Sequence, residues 1–94
     1  MLNKEQEKTL QKMLNKFQDK QMIIAIEELS ELQKEVCKKL RKPYSSNDAL
    51  IEELADVYIM LNQIRMYYDI NINDVNYVID KKIERTKKLY LEVK

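Results

Sequence analysis

The chain has no glycine at all, and its single proline is Pro43. Glycine most easily adopts the positive φ angles of tight turns, and glycine and proline together mark most turns, so their near absence favours a few long elements. Charged residues make up 35% of the chain and hydrophobic residues 45%, which is typical of amphipathic helices rather than of disorder. A chain of 94 residues can form one domain with a modest core. We therefore expect a single all-α domain over residues 1–94.

Apolar residues recur at three- and four-residue spacing in four segments, which predicts four helices. The predicted helices are 3–17, 20–41, 46–68 and 74–91. Asp19, Ser45 and Asn73 are the predicted N-caps of the last three, because each precedes an apolar periodic run and carries a side-chain oxygen. The connections are short, as they are between antiparallel neighbours in a four-helix bundle.

Composition excludes several classes of function. No histidine is present, which excludes histidine-based triads and metal sites that need imidazole. The single cysteine, Cys37, cannot form an internal disulfide and suits a reducing compartment. A formal net charge of +1 gives no global basic field for nucleic acid. The N-terminal segment lacks the apolar run of a signal peptide, and no stretch approaches the roughly 18 apolar residues of a membrane span. We expect a cytoplasmic protein that makes no membrane contact.

An acidic segment occurs twice: IEELSEL in residues 26–32 recurs as IEELADV in residues 51–57. On a helical wheel, Glu28 and Glu31 lie at one edge of the apolar stripe of the second helix. Glu53 and Asp56 lie at the same edge in the third helix. If the helices pack antiparallel through these stripes, the four carboxylates converge. The two stripes, which mark the predicted core, include Leu29, Leu32, Val36, Leu54, Val57 and Leu61.

Four converging carboxylates repel one another and lose solvation, which is costly unless cations neutralise them. Ligation by oxygen alone favours Mg²⁺ first and Mn²⁺ second, and Mg²⁺ typically bridges carboxylates to substrate phosphates. The chemistry that suits such a site is phosphoryl or nucleotidyl transfer to water. The competing interpretation is a solvated helix face, because glutamate and leucine are common there. The doubled pattern in matched phase favours the metal site.

The pattern Glu27-Glu28-x-x-Glu31, followed by Glu53-x-x-Asp56, resembles the EExxE…ExxD signature of MazG-type all-α nucleotide pyrophosphohydrolases, which are related to dimeric dUTPases. The phrases AIEELSEL and LIEELADVYIML resemble the blocks that this family has on the two helices. The resemblance covers roughly residues 20–90 and is greatest to short members of the kind that phages carry. It implies a MazG-like four-helix bundle that assembles as a homodimer or homotetramer.

The resemblance also implies that Glu28, Glu31, Glu53 and Asp56 ligate Mg²⁺. Enzymes of this family hydrolyse nucleoside triphosphates (NTPs or dNTPs) between the α and β phosphates, and the products are a nucleoside monophosphate and pyrophosphate. Glu28 or Glu31 would take the proton of the attacking water, and the sequence does not choose between them.

Lys82 and Arg85 are i, i+3 neighbours in the basic segment 80–88 of the fourth helix. The family carries a lysine and an arginine near this point, and by that resemblance Lys82 and Arg85 would bind the substrate phosphates. A lysine supplies a point charge and an arginine a planar fork, and both suit phosphate oxygens. The alternative is a solvated basic face near a helix C-terminus, where cations are favoured by the helix dipole.

Two other functions compete with the enzyme. A non-catalytic helical dimerisation or adaptor module would share the fold and use the acidic helix edge to bind a partner. Nucleic-acid binding through the fourth helix is disfavoured by the near-neutral net charge and the acidic pairs. The enzyme predicts Mg²⁺-linked stability and triphosphate turnover, whereas the adaptor predicts no effect of Mg²⁺. The sequence identifies neither the preferred base and sugar nor the choice between dimer and tetramer.

Overall fold

The computed structural model describes residues 2–92, and within that range it contains four helices and no strand. Helix α1 spans Lys4–Phe17, α2 spans Lys20–Arg41, α3 spans Asp48–Tyr67 and α4 spans Ile72–Tyr90. The all-α class and the four predicted helices are therefore confirmed. None of these helices is both long enough and apolar enough to cross a membrane.

Two of the three predicted N-caps are wrong. Helix α3 begins after Asn47, and the Ser45 hydroxyl instead donates to a backbone carbonyl of the preceding turn at 2.7 Å. Helix α4 begins earlier than predicted, after Asn71, whose side chain accepts a hydrogen bond from the backbone N–H of Asn73 at 2.8 Å. Asp19 does occupy the N-cap position of α2, but its side chain makes no capping hydrogen bond.

Two turns place a non-glycine residue at positive φ. Gln18, at φ 51° and ψ −128°, joins α1 to α2, and Asp69, at φ 53°, follows α3. The N–H of Ile70 donates to the carbonyl of Arg65 at 2.9 Å, and the N–H of Asp69 to that of Met66 at 3.1 Å. This is a Schellman motif with aspartate where glycine is usual. The Arg65 guanidinium also donates to the Ile70 carbonyl at 3.3 Å, so the turn fixes the direction in which α4 leaves α3.

Helices α2 and α3 form an antiparallel hairpin, which is the most extensive packing between helices within residues 2–92, and α1 packs against both. The buried apolar residues are Leu14 of α1, Ala25 of α2 and Val57 of α3. Gln63 of α3 is only 1% exposed, and its Nε2 donates to the carbonyl of Leu10 at 3.2 Å. Its Oε1 accepts no hydrogen bond from the described residues. A buried amide thus joins α3 to α1.

Helix α4 takes little part in this packing, and no residue within α4 is buried. Most of the predicted core is also uncovered, because Leu29 and Leu54 are each 41% exposed and Leu61 is 48% exposed. The radius of gyration is 16.4 Å, compared with about 12 Å for a compact domain of this length. The accessible surface is 8068 Å², whereas a folded monomer of this mass should expose about 5,800 Å². A single chain therefore exposes about 2,300 Å² more surface than expected.

Replacing Gln18 by glycine should raise the free energy of unfolding by about 0.5–1 kcal/mol, because glycine adopts this backbone conformation without the steric cost of a Cβ. Urea denaturation followed by circular dichroism measures the change. The matched control is Gln33→Gly at an exposed position within α2. That change should lower the free energy of unfolding by a similar amount, because glycine weakens a helix interior. Equal losses in the two variants would contradict the positive φ at Gln18.

Candidate functional site

The hairpin brings the two copies of the acidic segment together. Glu28 of α2 and Glu53 and Asp56 of α3 each place one carboxylate oxygen within 4.8 Å of the other two. Glu53 and Asp56 are one turn apart on the same face of α3, and Glu28 reaches them from the facing helix. We refer to these three residues as the acidic cluster. Three of the four predicted ligands therefore come together.

The acidic cluster is partly shielded from solvent. Glu28 and Glu53 are half-buried, whereas Asp56 is exposed. The Oε2 atoms of Glu28 and Glu53 are buried and accept no hydrogen bond within residues 2–92. No lysine or arginine of that range forms an ion pair with any of the three carboxylates. Buried carboxylate oxygens without a donor are costly, and a bound cation would remove that cost.

The free-energy cost of holding these carboxylates together also appears in the pKa of Glu28. Burial is the largest of the effects that together raise the pKa of Glu28 from an ordinary value of 4.5 to about 7. The negative charge of Glu53, whose carboxylate lies close by, also contributes to this shift, and the charge of Asp56 contributes less. Each of these effects favours the neutral acid over the carboxylate. Near neutral pH, the acidic cluster thus holds a proton on Glu28 for part of the time unless another cation takes its place.

Glu31 is not part of the acidic cluster. Its carboxylate forms an ion pair with Lys34 at 3.2 Å, one turn further along α2, and its side chain is 47% exposed. Such an exposed i, i+3 pair is weak and screened by salt. The Glu31 carboxylate is therefore held in an ion pair that is easily broken.

Lys82 and Arg85 are exposed on α4. Neither of them is paired with the acidic cluster, and α4 does not pack against the α2–α3 hairpin as α1 does. Within one chain, the predicted phosphate-binding cations are therefore not brought to the predicted metal ligands.

A surface cavity of about 590 Å³ lies elsewhere, where α2 ends and α3 begins. None of the acidic cluster lines it. Lys38, one of its cations, is paired with Glu35 at 3.2 Å. The basic end of α2 is visible in the sequence, but the cavity is not, because its shape depends on the path of residues 42–47. Its polar lining includes Lys38, Lys39, Arg41, Lys42, Ser45 and Ser46.

The acidic cluster suits a hard divalent cation. Its donors are carboxylate oxygens from two rigid helices, and the chain has no histidine to offer to a softer metal. The unpartnered Oε2 atoms of Glu28 and Glu53 supply oxygens that are not used elsewhere in the described structure. Mg²⁺ commonly takes one or two protein carboxylates and fills its other positions with water or phosphate oxygens. Glu28, Glu53 and Asp56 are therefore sufficient for such a site.

Comparison with family models, with curated proteins and with solved structures gives no match.

The metal-free protein should lose stability as the pH rises from about 4.5 to 7. The raised pKa of Glu28 means that the folded state binds more protons than the unfolded state across this range. The loss should be absent below the unfolded pKa and complete above the folded pKa. Urea denaturation with EDTA at a series of pH values measures it. Glu28→Gln should remove most of this pH dependence, and Glu31→Gln should keep it. Equal slopes for wild type and Glu28→Gln would contradict the raised pKa.

If the acidic cluster is a metal site, Mg²⁺ or Mn²⁺ should raise the melting temperature, because a bound ion would relieve the repulsion within the cluster. An ion present at 100 times its Kd would add about 2.7 kcal/mol of stability. Scanning calorimetry measures the shift. Glu53→Gln should greatly reduce the shift, whereas Glu52→Gln should retain it, because Glu52 is the exposed neighbour outside the cluster. The same shift in both variants would mean that the ions bind elsewhere.

Proposed function

We propose that the protein is a MazG-like nucleoside triphosphate pyrophosphohydrolase, which uses Mg²⁺ to hydrolyse NTPs or dNTPs to a nucleoside monophosphate and pyrophosphate. The observation that carries the proposal is the convergence of Glu28 with Glu53 and Asp56. These residues come from the two copies of one acidic motif, and the hairpin places one carboxylate oxygen of each within 4.8 Å of the other two. The absence of histidine and of a cysteine partner leaves carboxylates as the only acid–base and ligand groups of the cluster.

In this proposal Glu28, Glu53 and Asp56 hold the metal. When bound, Mg²⁺ (or Mn²⁺ in its place) offsets their negative charge, orients the triphosphate and stabilises the charge that develops on phosphate oxygens. The half-buried positions of Glu28 and Glu53 limit the access of bulk water, which strengthens electrostatic interactions at the site. The helices fix these two residues before substrate arrives, so little reorganisation is needed.

Glu31 is the better of the two candidate general bases. Its carboxylate lies outside the acidic cluster and is restrained only by the exposed Lys34. Accepting a proton there removes no charge from the three residues that hold the metal. The oxygen of water bonds to the α phosphorus, its proton passes to Glu31, and the bond from the α phosphorus to the α–β bridging oxygen breaks. Pyrophosphate leaves with that oxygen, so atoms and charge balance.

Lys82 and Arg85 are the proposed contacts to the substrate phosphates. A triphosphate brings more negative charge than one divalent ion neutralises, so cationic side chains are needed as well. The lysine and arginine are one turn apart on α4 and can approach neighbouring phosphates together.

The proposal includes a homodimer or homotetramer. Its support is the large uncovered apolar surface of the single chain, including Leu29, Leu54 and Leu61, which the sequence places in a core. An excess of about 2,300 Å² per chain is in the range that obligate oligomers cover. A second copy accounts for this surface without another partner.

Incubation with a panel of NTPs and dNTPs should release pyrophosphate in the presence of Mg²⁺ and not with EDTA. Glu53→Gln should lower kcat by about 100-fold or more, because it removes one charge from the metal site. Glu52→Gln, next to it but exposed and outside the acidic cluster, should retain the wild-type rate. Release of orthophosphate instead of pyrophosphate would contradict cleavage between the α and β phosphates. No release from any nucleotide, without thermal stabilisation by Mg²⁺, would favour the adaptor module that binds a partner through its acidic edge.

A further inference from the structure

The cavity between the end of α2 and the start of α3 carries unpaired positive charge. Four cations and two carboxylates line it. One of the cations, Lys38, is paired with Glu35. Arg41 and Lys42 form no ion pair within residues 2–92, and neither does the second carboxylate, that of Asp48. The helix dipole accounts for cations at the end of α2, but not for their arrangement around a cavity. Positive charge is thus in excess on the cavity wall.

The loop that forms part of this wall is held in place by its own hydrogen bonds. The Lys39 ammonium donates to the Ser45 carbonyl, and the Ser45 hydroxyl donates to the Lys42 carbonyl at 2.7 Å. Ser46 Oγ accepts a hydrogen bond from the N–H of Asp48 at 3.1 Å, and its own hydroxyl donates to no group within residues 2–92. A ligand would therefore meet donors that need little rearrangement.

The start of α3 adds backbone donors to the same cavity. The N–H groups of Ala49 and Leu50, two residues that line it, donate to no atom within residues 2–92. Asn47 occupies the N-cap position but makes no side-chain capping hydrogen bond that would satisfy them. Free N–H groups at a helix start attract anions, and a phosphate group can accept hydrogen bonds from them and from arginine and lysine together.

A second, apolar cavity of about 320 Å³ adjoins the basic one. Lys39 and Leu50 line both cavities, so the two share a wall. The rest of the apolar cavity is formed by Val36, Leu40 and Pro43. Leu40 is 76% exposed, so this cavity is open to a ligand. A ligand that fills both cavities has an anionic group at one end and an apolar ring at the other.

These two cavities are separate from the acidic cluster. None of the three residues of the cluster lines either cavity. Arg41 lies 13 residues beyond Glu28 on α2, which is about 20 Å along the helix axis. A phosphate group that is bound by Arg41 therefore does not reach the acidic cluster.

We propose that the two cavities together form a second binding site, which takes a nucleoside monophosphate. Arg41, Lys42 and the N–H groups at the start of α3 bind its phosphate. Its base packs against Leu40 and Pro43. A phosphate monoester carries a charge of about −1.5 to −2 at pH 7, which matches the two unpaired cations. Inorganic phosphate would leave the apolar cavity empty. The site requires neither a metal nor turnover, so this inference does not rest on the proposed function.

Isothermal titration calorimetry on the full chain tests the site, with AMP, GMP, CMP and UMP as ligands and EDTA present to exclude metal-dependent binding. At least one of the four should bind. Replacing both Arg41 and Lys42 by alanine should weaken that binding by about 10-fold or more. The matched control replaces Lys12 and Lys16 by alanine, which removes two exposed cations of α1 and should retain the wild-type affinity. No binding of any of the four, or equal weakening in the two double variants, would overturn the proposal.

Leu40→Ser tests the apolar half of the site by itself. This change should weaken the binding of the nucleotide by about 5-fold or more and leave the weaker binding of ribose 5-phosphate unchanged, because only the base contacts Leu40. The side chain of Leu40 is largely exposed, so the fold should persist. An unchanged nucleotide affinity in Leu40→Ser, or equal affinity of the wild type for the nucleotide and for ribose 5-phosphate, would overturn the assignment of a base to the apolar cavity.

Nuclear magnetic resonance locates the ligand without reference to activity. Adding the nucleotide in EDTA should shift the amide signals of Ser46, Ala49 and Leu50, and it should leave those of Glu53 and Asp56 in place. Shifts at the acidic cluster without shifts at the start of α3 would overturn the placement. A protein that binds the nucleotide at the start of α3 but hydrolyses no triphosphate would support this site and contradict only the proposed function.

Discussion

Packing between α2 and α3 is the interaction on which both the fold and the acidic cluster depend. The hairpin buries Ala25 and Val57, and the small side chain of Ala25 allows the two helices to approach closely. The same approach forces Glu28 against Glu53 and Asp56. Apolar burial therefore draws the helices together at the level where carboxylates push them apart. The chain accepts this repulsion at one place, as proteins commonly do where a functional group must be held in an unfavourable environment.

The α2–α3 hairpin leaves much of its own apolar surface exposed, and the other two helices differ in whether they cover it. Helix α1 closes one side of it through Leu14 and the buried amide of Gln63. Helix α4 is directed away by the turn at Asp69 and carries its apolar stripe with it. The exposed face of the hairpin and the exposed apolar residues of α4 thus both result from the turn at Asp69, which directs α4 away from the hairpin. The proposed function places the missing contacts between chains rather than within one.

The repeated acidic motif predicts much of the candidate site because its side chains share a helical phase. Wheel positions give the direction in which Glu28, Glu53 and Asp56 point, and the hairpin supplies the distance. The same wheel also included Glu31, but a wheel carries no information about height along the axis. Glu31 lies about 4.5 Å further along α2 than Glu28. In the antiparallel register, that displacement leaves it beyond the cluster and beside Lys34.

For other features, such as the helix N-caps, the sequence offers several equivalent candidates and does not decide between them. Ser45, Ser46 and Asn47 all carry an oxygen suited to an N-cap, and the path of the loop decides which residue stands at the helix start. The periodicity of apolar residues likewise predicts that one face each of α2, α3 and α4 packs against another surface. It does not show whether the same chain or another chain provides that surface. Positive φ at Gln18 and Asp69 gives no signal in a chain without glycine, although both turns set the directions of helices.

The buried amide of Gln63 has a consequence for how uniquely α1 is positioned. Its Nε2 reaches a single backbone carbonyl, that of Leu10, and its Oε1 accepts no hydrogen bond within residues 2–92. A leucine at residue 63 would remove the unpaired oxygen, but it would also remove the hydrogen bond to α1. The amide thus gives up some stability for a directional contact between α3 and the backbone of α1, which an apolar side chain would not supply.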